Sequence, residues 1–116
     1  MPVYSTMASK VAAYEAFFNS DDTQTLVVIG PGGSGKSAAL NRVEKHGELV
    51  IHVDLYPHIR AEKGLDDDIS GTDPITLSRT VYHLFDTDED LAQALKRKFG
   101  AQIIRFERGT EDLLRL

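Results

Sequence analysis

Eight consecutive residues carry the side chains and the backbone freedom that could hold a phosphate chain. Residues 30–37 read GPGGSGKS, so a glycine-rich segment leads directly into Lys36 and Ser37. Glycines allow positive φ angles and a close approach of the main chain, so that several N–H groups can converge on one anion. The lysine ammonium adds positive charge, and the serine hydroxyl can ligate Mg²⁺. These residue types at this spacing predict a binding loop for a polyphosphate and a magnesium ion.

The segment also satisfies GxxxxGK[ST], the Walker A pattern, and its neighbours supply the context that this motif requires. Residues 25–29 predict a buried strand before the loop, and residues 36–46 predict a helix after it. The segment 25–54 resembles the P-loop NTPase superfamily. The resemblance implies that main-chain amides cradle the phosphates, that Lys36 neutralises their charge and that Ser37 ligates magnesium.

The same resemblance indicates which ligands and residues to expect at the site. The expected ligands are Mg²⁺ and a nucleoside triphosphate. The sequence contains no NKxD-like motif that would read the base, so it does not distinguish adenine from guanine, and ATP is named as the commoner case. Catalysis in such proteins consists mostly of positioning and charge stabilisation. The expected nucleotide-binding residues are Gly30, Pro31, Gly32, Gly33, Ser34, Gly35, Lys36, Ser37 and Ala38.

Asp54 is the leading candidate for an acidic partner of the loop. It follows the largely apolar residues 49–53, which predict a strand, and parallel strands place their carboxyl ends at one edge of the sheet. In P-loop enzymes an acid at this position holds magnesium through water or takes a proton from the nucleophile. The stretch 50–59 also looks like the second strand of small-molecule and nucleoside kinases, which implies that Asp54 contacts an acceptor hydroxyl. Lys36 and Asp54 are thus the expected catalytic residues, and Ser37 and Asp54 the expected metal ligands. The alternative is an ordinary turn or cap role for Asp54.

A second kinase-like feature runs from Thr80 to Lys98, where a possible strand closing on Asp86 leads into a helix with a basic end. It looks like the strand and the lid-bearing helix of small kinases, which implies that Lys96, Arg97 and Lys98 clamp the transferred phosphoryl group. The alternative is a solvated last turn whose cations favour the helix dipole. Four further arginines are candidate clamps that the sequence does not separate: Arg60, Arg79, Arg105 and Arg108.

Three functions are compatible with these motifs. The first is a small kinase-like phosphotransferase that moves a phosphoryl group from magnesium-bound ATP to a small acceptor. The second is an NTPase module that drives rearrangement of a partner or of nucleic acid, since the leading helix and the GPGGSGKS spelling look closer to AAA-like or viral helicase and packaging ATPases. The third is a nucleotide binder without catalysis.

The surrounding pattern predicts an α/β fold in which strands and helices alternate along the chain. Their order indicates a three-layer, P-loop NTPase-like parallel sheet of three to four strands with flanking helices, reduced in size and forming one domain over 1–116. The predicted strands lie at 25–29, 48–54 and 101–106. The first two predicted helices lie at about 7–18, with Ser5 or Thr6 as the cap, and at 36–46, ended by Gly47. A third helix is predicted from a Thr87–Asp90 capping box to Gly100, and a short fourth helix is capped by Thr110. Residues 75–85 are open between a helix behind Asp73-Pro74 and a strand over 80–85.

Composition narrows the classes of partner. The formal net charge of −5 over 116 residues argues against a general nucleic-acid surface or an anionic-membrane surface, because both require clustered cations. The absence of cysteine excludes disulfides and Cys-based metal or redox sites, and no apolar run approaches the ~20 residues of a membrane span.

The acidic stretch 65–73 departs from the EF-hand spacing, and the four histidines show no zinc-binding pair. We expect a soluble cytoplasmic protein whose partners are a nucleoside triphosphate and a small phosphoryl acceptor; an oligomer is possible.

Overall fold

The computed structural model describes residues 3–20, 23–43, 50–54 and 79–109. Predictions outside these ranges include Arg60, the acidic stretch 65–73, the helix start at Asp73-Pro74 and the last helix behind Thr110. The helix predicted over 36–46 ends earlier, at Arg42, with the extended residue Val43 as its C-cap. The described helices are α1, Met7–Asn19; α2, Lys36–Arg42; and α3, Glu89–Phe99. The described strands are β1, Val3–Tyr4; β2, Thr25–Ile29; β3, Val50–Asp54; β4, Arg79–Leu84; and β5, Gln102–Phe106. None of the helices in these ranges has the length and hydropathy of a membrane span.

The strands form one sheet in the order β1-β5-β2-β4-β3, and each described pairing is parallel. β2 lies in the middle, where Ile29 is level with Leu84 of β4 and with Arg105 of β5. β1 contributes only two residues, which pair with β5. The predicted parallel α/β sheet is confirmed, with four longer strands and one short strand that the sequence did not indicate.

Helices cover both faces of the sheet and produce the predicted three layers. On one face, α1 and α2 form a core with Leu26 and Val28 of β2. On the other face, α3 packs against Val27 and Ile29. Consecutive residues of a strand point to opposite faces of the sheet, and helices cover both faces, so every residue of β2 is buried. This arrangement explains why the strand lacks the polar alternation of a half-exposed strand.

The structure decides between the two predictions for residues 75–85 in the part that it describes. Residues 79–84 form β4 and all of them are buried, so the strand prediction is confirmed there. Val81 joins the core under α1 and α2, whereas Tyr82 and Leu84 join the core under α3. A strand between β2 and β3 can bury both sets of side chains, while a surface helix buries mainly one face.

The start of α1 and the end of α3 agree with the sequence prediction. Thr6 caps α1, as one of the two predicted residues, and Ser9 N donates to Thr6 Oγ1 at 3.1 Å. The reciprocal bond from Thr6 N to Ser9 Oγ measures 3.2 Å and completes a capping box. α3 is followed by Gly100 as its C-cap residue, whose φ of 68° lies in the left-handed region that favours glycine. Both ends are therefore fixed by local contacts that the sequence specifies.

The start of α3 differs from the prediction. A capping box of Thr87 with Asp90 was expected, but Asp88 is the N-cap residue and makes no side-chain cap bond. Asp88 N donates to Phe85 O at 3.0 Å in a turn, and Ala92 N donates to Asp88 O at 3.0 Å as the first helical bond. The predicted capping box is wrong because this turn after β4 moves the helix start by one residue.

Candidate functional site

The loop 30–37 leaves the carboxyl end of β2, in the middle of the sheet. Gly30 N donates a hydrogen bond of 3.1 Å to Leu84 O, which attaches the start of the loop to β4. A Cβ atom at residue 30 would lie 2.6 Å from Ser34 Oγ and 2.7 Å from Phe106 O. Any larger residue must displace a neighbour, so packing between strands requires the first glycine of the motif.

Two further glycines set the curvature of the loop. Gly33 and Gly35 have φ angles of 77° and 84°, which residues with a side chain rarely adopt. Between them, Ser34 N donates to Pro31 O at 3.1 Å and closes a tight turn. Gly32 and Gly33 are exposed at the crest of the loop, so a ligand can reach this part of the backbone from solvent.

Lys36 lies inside the loop rather than in solvent. The residue is 3% exposed, and its Nζ donates to Gly30 O at 2.5 Å and to Pro31 O at 3.1 Å. Nζ also lies 5.7 Å from the centroid of the Phe85 ring, within the range of a cation–π contact. These carbonyls hold the ammonium group at the end of β2, where phosphate oxygens could replace them as its partners.

A cleft of about 220 Å³ opens beside the second half of the loop and is lined by residues 33–38. The first backbone bond of α2 runs from Ala39 N to Gly35 O at 2.9 Å, so the N–H groups of Ser37 and Ala38 precede the helical ladder. Ser37 is exposed, and its hydroxyl has no hydrogen-bond partner among the described residues. These donors and this hydroxyl fit a phosphate group and a magnesium ion that takes its other ligands from phosphate and water.

Asp54 lies at the loop edge of the sheet but not beside the loop. β4 separates β3 from β2, and Asp54 pairs in register with His83. Because neighbouring strands are about 4.8 Å apart, the backbone of Asp54 is roughly 10 Å from the line of β2. The strand predicted before Asp54 is confirmed over Val50–Asp54. The catalytic and metal-binding roles of Asp54 stay predictions.

Asp86 is an acidic residue that the fold brings to the loop and that the sequence analysis did not assign to the site. It lies two residues beyond Leu84, and Pro31 lies two residues beyond Ile29, the register partner of Leu84. Asp86 and Pro31 line a cleft of about 460 Å³ together with residues 105–108 at the end of β5. The available signal was an acid after a β-rich run, but only the strand order shows that this run adjoins β2.

The structure separates the candidate arginines. Arg79 is 8% exposed and donates to two backbone carbonyls at 2.7 and 3.1 Å, at the amino end of β4, so it is a structural residue at the edge opposite the loop. Arg105 Nη2 donates to Glu89 Oε2 at 2.8 Å and is thereby held at the first turn of α3. Arg60 lies outside the described residues.

Among the described arginines that were candidates for clamping a phosphoryl group, Arg108 contacts the loop. Its Nε and Nη2 donate to Gly32 O at 3.0 and 2.7 Å. The guanidinium also lies 3.7 Å from the position that a Cβ at Gly33 would occupy. Because Arg108 is exposed, its cation covers the crest of the loop from the solvent side.

The basic end of α3 lies away from the loop. The helix begins beyond the carboxyl end of β4 and leads to the amino end of β5, so it runs antiparallel to these strands. Lys96, Arg97 and Lys98 are exposed in its last turn, at the opposite edge of the sheet. The predicted clamp by these three residues is wrong for this structure, and the alternative is found: a solvated helix end whose cations favour the dipole.

α1 supports the loop through buried polar contacts. The Tyr14 hydroxyl donates to Lys36 O at 2.9 Å and contacts His83 Nε2 at 2.7 Å. Because a hydroxyl has one hydrogen, His83 Nε2 must be the donor in the second contact. Lys10 Nζ donates to Glu107 O at 2.6 Å, just beyond the end of β5. The leading helix therefore connects the start of α2 with β4 and with the end of β5.

The carboxyl edge of the sheet thus brings together the loop 30–38, Asp86 and Arg108, with Asp54 one strand further out. Comparison of the chain with protein-family models, with curated proteins and with solved structures found no match. The residues and contacts of this edge are therefore the basis for assigning a function.

Proposed function

We propose that this protein binds a magnesium–nucleoside triphosphate, with ATP as the commoner case, through residues 30–38. The observation that carries the proposal is the position of Lys36, whose Nζ lies inside an open Walker A loop at the end of the central parallel strand. The buried ammonium group is held there by hydrogen bonds to Gly30 O and Pro31 O. It therefore lies beside the main chain of the loop, where oxygens of a phosphate could take the place of these carbonyls.

The phosphates would occupy the cleft of about 220 Å³ beside the loop. Main-chain amides along its lining, including those of Ser37 and Ala38, would donate to the phosphate oxygens. Lys36 would exchange its contacts with Gly30 O and Pro31 O for oxygens of the β and γ phosphates. The Ser37 hydroxyl would ligate magnesium, which, when bound, neutralises and orients the phosphates.

For the reaction, we propose kinase-like transfer of the terminal phosphoryl group to a small acceptor. The cleft of about 460 Å³ beside Pro31 provides space for an acceptor next to the loop. The exposed Asp86 at its wall could orient or deprotonate an acceptor hydroxyl. Asp54 stays the second candidate for this role. A cytoplasmic location is part of the same proposal.

The second candidate reaction is hydrolysis that drives rearrangement of a partner or of nucleic acid. The feature that favours it is α1, because Tyr14 joins this helix to the backbone of Lys36. A shift of the loop on nucleotide binding would thereby reach a helix on the surface of the sheet. Assays with magnesium–ATP distinguish the two reactions: product that appears only with an added acceptor indicates transfer, and phosphate release without one indicates hydrolysis.

The binding proposal is tested by isothermal titration of magnesium–ATP into the wild-type chain and into Lys36→Ala. Loss of a charged hydrogen-bond donor should weaken binding by about 1–3 kcal/mol, which is about 5- to 150-fold. Lys96→Ala is the matched control, because it removes the same charge from an exposed position at the opposite sheet edge. Equal affinities of the wild-type chain and Lys36→Ala would refute the role of Lys36.

A further inference from the structure

The contact between Arg108 and the loop joins two segments that are 76 residues apart in the sequence. Nε and Nη2 both donate to one acceptor, Gly32 O, at 3.0 and 2.7 Å. The remaining N–H donors of the guanidinium have no hydrogen-bond partner among the described residues. Arg108 thus brings a positive charge to the loop with a single neutral carbonyl as its partner.

Two other described arginines at strand ends, Arg105 and Arg79, are held by contacts that keep their charges from a ligand at the loop. Arg105 forms an ion pair with Glu89 at 2.8 Å, so a carboxylate already balances its charge. Arg79 binds backbone carbonyls at the opposite edge of the sheet. Arg108, which is exposed and makes no ion pair with a described residue, is the arginine among these three whose charge is available to a ligand at the loop.

The position of Lys36 indicates where the terminal phosphates would lie. A Walker A lysine reaches the β and γ phosphates, and here its Nζ contacts Gly30 O and Pro31 O. The carbonyl that Arg108 contacts belongs to the next residue, Gly32. Lys36 is buried and Arg108 is exposed, so the two cations contact consecutive carbonyls of the loop, one from its buried side and one from solvent.

We propose, on the basis of the nucleotide-binding function above, that Arg108 recognises the terminal phosphate of the triphosphate. Its guanidinium exchanges Gly32 O for oxygens of the γ phosphate, where its planar fork can form two parallel charge-assisted hydrogen bonds. A diphosphate lacks that group and leaves Arg108 on the carbonyl. Arg108 therefore gives the site its preference for triphosphate over diphosphate.

The test compares the affinities of two nucleotides by isothermal titration in the presence of magnesium: the non-hydrolysable β,γ-imido analogue of ATP, and ADP. Arg108→Ala should weaken binding of the imido analogue about tenfold or more, because hydrogen bonds to charged groups contribute about 1.5–3 kcal/mol. Its affinity for ADP should change less than about twofold. Arg108→Lys, which keeps the charge but loses the fork, should fall between wild type and Arg108→Ala.

Arg97→Ala is the matched control, because it removes an exposed arginine from the far edge of the sheet and should leave both affinities as in the wild-type chain. Unchanged binding of the imido analogue by Arg108→Ala, or an equal loss for both nucleotides, would overturn the assignment of Arg108 alone. Tighter binding by the variant would also overturn it, since Arg108 would then hold the loop against the ligand. A wild-type chain that binds neither nucleotide would instead overturn the nucleotide-binding function itself.

Discussion

At the scale of a single residue, packing around the start of the loop explains why residue 30 is a glycine. A Cβ atom there would lie 2.6 Å from Ser34 Oγ and 2.7 Å from Phe106 O, both closer than non-bonded contacts allow. We therefore expect Gly30→Ala to lower the free energy of unfolding by about 1–3 kcal/mol, the usual range for overpacking. Urea denaturation followed by circular dichroism measures this change.

Gly32 provides the control for that experiment within the same loop. It has no positive φ, and a Cβ atom there would meet Phe85 Cε1 at an ordinary 3.8 Å. Gly32→Ala should therefore change the stability by less than about 0.5 kcal/mol, as most surface substitutions do. Equal losses in the two variants would show that the contacts at residue 30 do not explain why a glycine is present.

Individual residues of the site differ in how far the sequence could identify them. Gly30, Lys36 and Ser37 form a contiguous motif, so their proximity follows from the chain itself. Asp86 and Arg108 reach the loop only because β4 and β5 pair with β2, and no local pattern contains that strand order. For the same reason the sequence could not separate Arg108 from the other arginines, whose roles depend on which sheet edge they occupy.

At the scale of elements, α1 is tied to the loop by the hydroxyl of Tyr14. Tyr14→Phe removes the donor to Lys36 O and leaves the Nε2–H of His83, a fully buried residue, without this acceptor. An unsatisfied buried donor reduces stability by about 1–3 kcal/mol. We expect that loss in the free energy of unfolding from urea denaturation.

Tyr4→Phe is the matched control for this contact. The hydroxyl of Tyr4 makes no hydrogen bond to a described residue, so its removal should change stability by less than about 0.5 kcal/mol. A Tyr14→Phe variant as stable as Tyr4→Phe would mean that the buried contacts of α1 do not stabilise the fold around the loop.

The elements themselves were predictable where their pattern was long and local. The strand before the loop, the helix at about 7–18 and the strand at 101–106 were recognised because burial or helical spacing left a clear pattern. Residues 79–84 were ambiguous because their apolar side chains suit either period, and burial between β2 and β3 decides for a strand. β1 has only two residues, too few for any periodic pattern, and exists through its pairing with β5.

At the scale of the whole molecule, the parallel sheet separates the basic residues between its two edges. Lys36 and Arg108 lie at the carboxyl edge with the loop, whereas Arg79 and the basic end of α3 lie at the amino edge. The chain carries a net charge of −5, so the proposed binding of phosphate requires positive charge that is local to the loop. The topology provides that local charge by ending β2 and β5 at the same edge.

The most direct test of the central claim is a two-dimensional ¹⁵N–¹H NMR titration of the wild-type chain with the magnesium-bound β,γ-imido analogue of ATP. Binding in the loop should shift the amide signals of residues 32–38 most, because those amides would donate to the phosphates in the proposed complex. The same titration of Lys36→Ala should need a higher ligand concentration for the same shifts. Unmoved loop amides at saturating ligand, or shifts confined to the basic end of α3, would contradict the assignment of residues 30–38 as a nucleotide-binding loop.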